Sequence, residues 1–216
     1  MIKGWLSKNE EKLLAHFAKK ADGVIVEIGS FQGKSAVAMA KMTKNPIYAI
    51  DPHYLGSYKK FLQNTKKYKN IIPIKKTSAA ANKNWSSPIS LLHIDGNHEY
   101  KFAKQDLQLW LPHLKDDGVV ICHDAFCPFP DVFKAVKEEI FNKSGWAYIG
   151  VLDSQIFAIR GKEKLNWQRP FIILASTIWH NKNLSEKFRF FIVNRVLKIF
   201  FMNKFILQTI FAKMES

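Results

Sequence analysis

Cysteine is scarce in this 216-residue chain, which contains only Cys122 and Cys127. Two thiols cannot form the set of bridges on which small secreted domains depend, and no second pair stands at zinc-finger spacing. Residues 1–20 carry charges throughout and contain no apolar run long enough for a secretory signal. We therefore expect a protein of the reducing cytoplasm rather than a secreted or zinc-finger protein.

Acidic side chains are also few. The chain has 18 aspartates and glutamates but 33 lysines and arginines, which gives a net charge of +15. Such an excess suits partners that carry phosphate groups, including nucleic acids. The basic residues, however, fall into two groups, a helix and loop at 59–69 that we expect to be solvated and a C-terminal tail. The charge by itself therefore does not predict a nucleic-acid partner.

No long apolar run is present before residue 160; short apolar runs alternate there with segments of helical periodicity. This alternation predicts an α/β fold with a doubly wound, mostly parallel sheet in residues 1–162, followed by a helical tail in residues 163–216. The predicted strands are 24–28, 46–50, 71–75, 89–94, 119–122, 146–150 and 155–160. The predicted helices are 5–20, 34–42, 57–68, 100–114 and 131–142, the last capped by Asp131.

The stretch VIVEIGSFQGKS at 24–35 reads as a buried strand, a turn with glycines and the start of a helix. Gly29 and Gly33 would let a ligand approach the backbone where a Cβ atom would block it, and the N–H groups of the helix favour an anionic group. Glu27 stands near the end of the strand, and Asp51 follows the next strand, where a ribose would present its hydroxyl groups. Because the G-x-G-x-x-G motif of dinucleotide folds is missing, this pattern predicts another nucleoside cofactor.

Ionisable side chains follow the fourth and fifth predicted strands. Asp95 and His98 come after the fourth strand, and His123 and Asp124 come after the fifth. Since neighbouring strand ends share one rim of a parallel sheet, we expect these side chains to lie together near the cofactor. Carboxylates and imidazoles can hold a divalent ion that activates a substrate hydroxyl, and a neutral imidazole can accept the proton.

VEIGSFQGKS, together with DGNHEYKFAKQDLQLWLPHLKDDGVVICHD at 95–124, resembles the class I S-adenosylmethionine-dependent methyltransferases. Within them it is similar to a metal-dependent O-methyltransferase family that includes sugar methyltransferases of macrolide and polysaccharide pathways. The resemblance implies a Rossmann-like methyltransferase fold, Asp95 and Asp124 as ligands of Mg²⁺ or Mn²⁺, and His98 as the base that deprotonates the acceptor. The residues expected to hold S-adenosylmethionine are Glu27, Gly29, Ser30, Gly33, Asp51 and, at the adenine, Ser78.

Two positions depart from that family, and one role stays open. His123 replaces the first residue of an acidic pair, so we expect it as a third metal ligand that makes Mn²⁺ or Fe²⁺ more suitable than Mg²⁺. Asn97 replaces another acidic residue. For Ser78, a helix cap is an equal alternative to contact with adenine.

The tail changes character after Leu165. Residues 186–213 predict a basic amphipathic helix whose apolar stripe is rich in phenylalanine. We favour contact with an anionic membrane surface or with a second subunit over packing on the sheet domain. A membrane-spanning helix is not expected, because charges recur every few residues.

The sequence thus predicts an S-adenosylmethionine-dependent O-methyltransferase, assisted by a divalent metal, that acts on a hydroxyl of a sugar or glycan. A lipid-linked glycan, reached at the inner face of the membrane through the tail, is one form of this hypothesis. The alternative is a catalytically degenerate protein that binds the cofactor and docks on a membrane as an interaction partner. A nucleic-acid methyltransferase ranks third, since it would explain the charge but no base-methylating motif such as N-P-P-Y is present.

Overall fold

The computed structural model describes residues 2–126, 129–162, 169–180 and 184–185. The chain divides into two units, Met1–Lys164 and Leu165–Ser216. Cys127 and the amphipathic helix predicted at 186–213 lie outside the described residues, so the expectations attached to that tail stay predictions.

A seven-stranded sheet forms the centre of the first unit. Its strands are β1 (Val24–Ile28), β2 (Ile47–Ile50), β3 (Ile71–Ile74), β4 (Ile89–Ile94), β5 (Leu114–Cys122), β6 (Trp146–Leu152) and β7 (Gln155–Arg160). The strand order is β3-β2-β1-β4-β5-β7-β6. Strands β1 to β5 pair in parallel, whereas β7 runs antiparallel to both β5 and β6. The doubly wound, mostly parallel sheet expected from the sequence is confirmed.

Helices flank this sheet, and all of them except the short α4 fall in segments that the alternating pattern predicts as helical. They are α1 (Lys8–Lys20), α2 (Lys34–Ala40), α3 (Tyr58–Thr65), α4 (Ser78–Asn82), α5 (Tyr100–Trp110) and α6 (Pro130–Val136). Helix α1 packs on α2, and α5 packs on α4 and α6. Every residue of β4 is buried, as expected for a strand that is covered on both faces.

Helix α1 begins later than its apolar periodicity predicts, at Lys8 instead of Trp5. The reason is a capping box: the Ser7 hydroxyl accepts the backbone N–H of Glu10 (3.1 Å), and the Ser7 N–H donates to Glu10 Oε2 (2.8 Å). Residues 2–6 therefore stay outside the helix, and Trp5 keeps 74% of its surface exposed.

Asp131 does not cap α6 as predicted, because Phe129 occupies the N-cap position and Asp131 lies inside the first turn. Its carboxylate instead accepts the backbone N–H of Tyr100 (3.2 Å) at the start of α5. Helix α5 itself ends at Trp110, earlier than predicted, since Pro112 forces a short 3-10 turn before β5.

The described part of the second unit contains α7, Arg169–Trp179. Among all residues that the structure describes, no helix combines the length and the apolar character needed to cross a membrane.

Gly29 is the most constrained glycine of the turn between β1 and α2. Its φ angle is +87°, and a Cβ atom at this position would overlap the carbonyl oxygen of Asp95. Both the backbone conformation and the close approach of two chain segments therefore require glycine. At Gly56, by contrast, φ is also positive (+67°) but nothing lies within 4 Å of the added atom.

We predict that Gly29→Ala lowers the free energy of unfolding by more than about 3 kcal/mol, because strain and a backbone collision add together. Gly56→Ala, which introduces the strain without the collision, should cost only about 1 kcal/mol. Urea unfolding followed by circular dichroism measures both values. Equal losses in the two variants would show that the contact with Asp95 does not constrain the turn.

Candidate active site

The carboxyl ends of four neighbouring strands are fixed to each other by backbone hydrogen bonds. Asp51, Gly29, Asp95 and His123 each donate their N–H to the carbonyl of the last residue of the adjacent strand, at 2.8–3.1 Å. These bonds extend the sheet by one residue and hold the candidate side chains in a row. Beside this row lies a cavity of about 1130 Å³, large enough for a nucleoside cofactor and part of a second substrate.

Asp51 lines the cavity immediately after β2. Its Oδ2 atom accepts the N–H of Phe31 (2.7 Å), and its Oδ1 atom accepts the N–H of His53 (2.5 Å). Each carboxylate oxygen can accept a second hydrogen bond. The backbone therefore fixes the orientation of this carboxylate and still leaves it able to accept from the two hydroxyl groups of a ribose.

Two of the expected serines line the same cavity. The Ser30 hydroxyl is buried and has no hydrogen-bond partner, so a ligand in the cavity could supply one. Ser78 is not the helix cap, because Thr77 holds that position and accepts the N–H of Ala80 (3.2 Å). The Ser78 hydroxyl accepts the indole N–H of Trp110 (2.7 Å) instead.

Glu27 and Gly33, both expected at the cofactor, do not line the cavity. Glu27 is completely buried under the turn, and its Oε1 atom lies 3.3 Å from Nδ1 of the equally buried His93. At Gly33 a Cβ atom would come within 2.8 Å of the Thr65 side chain and 3.2 Å of Phe61. The glycine there allows α2 to pack closely against α3.

Ser35 and Asp106 line the cavity although the motifs did not single them out. Ser35 is a buried hydroxyl in the first turn of α2. Asp106 lies on the buried face of α5, where burial raises the pKa of its carboxyl to about 6 despite a hydrogen bond with Ser78. An acidic residue among the apolar positions of an amphipathic helix is the signal that could have identified Asp106.

The structure brings together the four side chains expected at the ends of β4 and β5. His98 Nε2 lies 3.4 Å from Asp124 Oδ2 and 3.9 Å from Asp95 Oδ1. His123 Nδ1 lies 3.2 Å from the same Asp124 oxygen and 3.4 Å from the same Asp95 oxygen. Two imidazoles thus face two carboxylates at one end of the cavity.

Phe129 orients the His98 ring, and sequence patterns did not reveal this contact. The two rings are stacked, with centroids 4.0 Å apart and planes inclined by 14°. The His98 side chain keeps 34% of its surface exposed, whereas its Nε2 atom is buried and makes no hydrogen bond. An imidazole nitrogen that has no hydrogen-bond partner is suited to accepting a proton from a bound hydroxyl group.

His123 is enclosed by three carboxylates. Its Nε2 atom lies 3.4 Å from Glu10 Oε2, on the side opposite Asp95 and Asp124. Burial disfavours the imidazolium, but the contacts with Asp124, Asp95 and Glu10 prevail and raise the pKa of His123 to about 12.

The pKa values of Asp95 and Glu10 are shifted in the complementary direction. Burial alone would raise the pKa of Asp95, but its contacts with His123 and His98 lower it to about 2. Glu10 behaves in the same way, since contacts with His123, Ser154 and Ser7 outweigh burial and lower its pKa to about 2. The site is therefore charged in its resting state.

The donor set fits a divalent metal ion. One ligand atom from each of Asp95, His98 and Asp124 can lie within 4.8 Å of the others, and His123 Nδ1 adjoins both carboxylates. Carboxylate oxygens suit Mg²⁺ and Mn²⁺ alike, whereas an imidazole nitrogen in the set favours Mn²⁺, Fe²⁺ or Zn²⁺.

Three solved structures with the same fold are methyltransferases by their names. A candidate caffeoyl-CoA O-methyltransferase from Staphylococcus aureus superposes with a TM-score of 0.60 at 17% identity, over 73% of this chain and 86% of that chain. A methyltransferase from Podospora anserina with bound S-adenosylhomocysteine (SAH) gives 0.59 at 15% identity, over 74% and 80%. An O-methyltransferase from Bacillus cereus in complex with SAH gives 0.59 at 12% identity, over 72% and 82%. At these identities the likeness establishes the fold.

A family model described as a methyltransferase domain matches residues 26–125, which is slightly less than half of the chain. The matched segment begins in β1 and ends just after Asp124, so it contains the turn at Gly29 together with Asp51, Asp95 and Asp124 of the cavity lining. The chain therefore has the Rossmann-like fold of these solved methyltransferases, and residues 26–125 match a methyltransferase domain.

Proposed function

We propose that this chain is an O-methyltransferase that methylates a hydroxyl group of a sugar or glycan with the assistance of a divalent metal ion. The observation that carries the proposal is the position of His98, whose Nε2 atom faces the carboxylates of Asp124 and Asp95 inside the cofactor cavity. A base next to the ligands of a cation is the arrangement that transfer to a hydroxyl oxygen needs.

S-adenosylmethionine, when bound, supplies the methyl group as an electrophile, and Asp51, Gly29, Ser30 and Ser78 are the residues that would hold it. His98 accepts the proton of the acceptor hydroxyl at Nε2 as the oxygen becomes nucleophilic. Asp124 and Asp95 stabilise the positive charge that His98 then carries, while Phe129 keeps its ring in place.

A divalent ion at Asp95 and Asp124, with His123 as a third ligand, would lower the pKa of the acceptor hydroxyl. The ion would thus act on the oxygen of the acceptor hydroxyl, and His98 would act on its proton. Activity is expected to fall when the ion is removed with a chelator.

The sugar class of the acceptor rests on the similarity of the two motifs to sugar methyltransferases. Exposed apolar side chains on the cavity lining, Trp5, Tyr54 and Leu55, offer surfaces on which either a sugar ring or an aromatic ring could pack. A phenolic acceptor is therefore the competing substrate class. A panel of methyl glycosides and caffeoyl-CoA, with methyl-labelled cofactor, separates the two.

A second candidate is a protein that binds the cofactor without transferring the methyl group. It is favoured by one observation, the bridging of Asp95 and Asp124 by the His123 imidazole in place of a second acidic residue. Tight SAH binding combined with no transfer to any acceptor under any divalent ion would support this candidate.

We expect SAH to bind in the micromolar range. Asp51→Asn should weaken SAH binding at least about tenfold, because a neutral amide accepts hydrogen bonds from ribose less strongly than a carboxylate does. Isothermal titration calorimetry measures both constants. Asp116→Asn, on an exposed residue outside the cavity, is the matched control. Unchanged binding in Asp51→Asn would remove the ribose role.

The proposed base predicts that His98→Ala lowers kcat by about 10²–10⁴-fold with little change in SAH affinity. His113→Ala, a histidine outside the cavity, should keep full activity. Initial rates with labelled S-adenosylmethionine and the acceptor selected from the panel give the comparison. Undiminished turnover of His98→Ala would contradict the assignment.

Because of the ion pairs of His123, we expect the free energy of unfolding to fall as the pH rises. A folded pKa of about 12, against an ordinary value of 6.5, means that the stabilisation is complete below pH 6.5 and is lost as the pH rises towards 12. Between pH 7 and pH 9 the free energy of unfolding should fall by about 3 kcal/mol at most. The contribution of Asp95 and Glu10 has the opposite pH dependence, since the stabilisation that these carboxylates provide is lost as the pH falls towards 2.

Urea unfolding at several pH values tests this expectation against His123→Gln, which should lack the alkaline component. Parallel pH profiles of the two proteins would show that the imidazole carries no charge in the native protein.

A further inference from the structure

Glu10 is a buried carboxylate for which the proposed reaction has no role. It lies in the first turn of α1 with 2% of its surface exposed, and its Oε2 atom is 3.4 Å from Nε2 of His123. His123 is 3% exposed, and its other nitrogen, Nδ1, faces Asp124 and Asp95. Helix α1 thus contributes the group on the far side of the imidazole from the expected metal ligands.

Two separate elements fix the Glu10 carboxylate. The N–H of Ser7 donates to Oε2 (2.8 Å), while Ser154 donates both its N–H (3.1 Å) and its hydroxyl (2.6 Å) to Oε1. Ser154 belongs to the turn between β6 and β7. A buried carboxylate needs such partners, and three donors leave Glu10 little freedom to rotate away from His123.

The two nitrogens of an imidazole cannot both act as ligands of one ion. When one nitrogen donates its hydrogen to a carboxylate, the other presents its lone pair in the opposite direction. At His123, donation from Nε2 to Glu10 would aim the Nδ1 lone pair between Asp95 and Asp124. Neither nitrogen of His123 makes a hydrogen bond of regular geometry in the structure. The Nδ1 atom is therefore a buried polar atom without a hydrogen bond at the position where an ion would bind.

We propose that Glu10 is a positioning residue that holds His123 with Nδ1 available as the nitrogen ligand of a divalent ion at Asp95 and Asp124. The inference rests on the metal-assisted function proposed above and specifies its metal site. Carboxylates that accept from a ligating histidine fix the ring and strengthen the ligand. A site of two carboxylates and one imidazole should select Mn²⁺, Fe²⁺ or Zn²⁺ over Mg²⁺.

The first test is a titration of the full-length protein with Mn²⁺, in which electron paramagnetic resonance measures the free ion. Glu10→Ala should weaken Mn²⁺ binding by about 10–100-fold. Glu10→Gln should restore much of the affinity, because its amide oxygen can still accept from Nε2. Ser7→Ala, which removes the helix cap but leaves the carboxylate next to His123, should lower the melting temperature and keep the affinity.

The second test determines which nitrogen of the His123 ring carries the proton and which binds the metal. In the Zn²⁺-loaded protein with ¹⁵N-labelled histidine, two-bond ¹H–¹⁵N correlation spectra should show His123 protonated at Nε2 and metal-bound at Nδ1, with His98→Gln used to assign the signals. Metal-bound Nε2, or a His123 ring outside the coordination sphere, would overturn the inference. So would a Glu10→Ala variant that folds and binds Mn²⁺ as tightly as the wild type.

These outcomes separate the inference from the function on which it rests. If the wild-type protein binds SAH but no divalent ion, the metal site itself is wrong, and the Glu10 role is excluded with it. If the wild-type protein binds Mn²⁺ and Glu10→Ala does so equally well, the metal-assisted function stands and only the positioning role fails.

Discussion

The active-site cavity depends on the extension of the parallel sheet by one hydrogen-bonded residue beyond its strands. The N–H groups of Asp51, Gly29, Asp95 and His123 reach across to the neighbouring strands and place the four residues in one row. This row brings the turn at Gly29 so close to the Asp95 carbonyl that a single methyl group does not fit. The turn between β1 and α2 and the Asp95 carboxylate are therefore positioned by the same backbone contact.

Charge is the second organising feature of the site. Glu10, Asp95 and Asp124 surround His123, and the protein without an ion balances part of their charge with an imidazolium. An ion that took His123 as a ligand would have to displace its proton, because only the neutral ring has a free lone pair. The same groups thus explain both the stability expected of the metal-free protein and the nitrogen-containing metal site that we propose.

The sequence predicted those parts of the site that follow from strand ends. Asp51, Asp95, His123 and Asp124 stand one or two residues after a buried strand, and parallel strands bring their carboxyl ends together without further information. Apolar periodicity placed the helices but not their ends, since caps and prolines decide these locally. At Ser7 the capping box S-x-x-E was legible in the sequence, and it explains why α1 starts at Lys8.

The remaining features depend on contacts between distant segments. Nothing near Glu10 in the sequence indicates that it meets His123 or Ser154, and nothing near Phe129 indicates the stack on His98. Glu27 and Gly33 illustrate the converse, because the glycine motif does not reveal which of its members line the cavity. Glu27 is paired with His93 below the turn, and the missing side chain of Gly33 leaves room for Thr65.

The most direct test of the account is a crystal structure of the protein grown with SAH and Mn²⁺, with anomalous scattering used to locate the ion. We expect SAH along Gly29 with its ribose at Asp51, and Mn²⁺ bound by Asp95, Asp124 and His123 Nδ1. His98 should stand free beside the ion and face the sulfur of SAH. An empty cavity, or Mn²⁺ held at another place while SAH is bound, would contradict the proposed metal-assisted transfer.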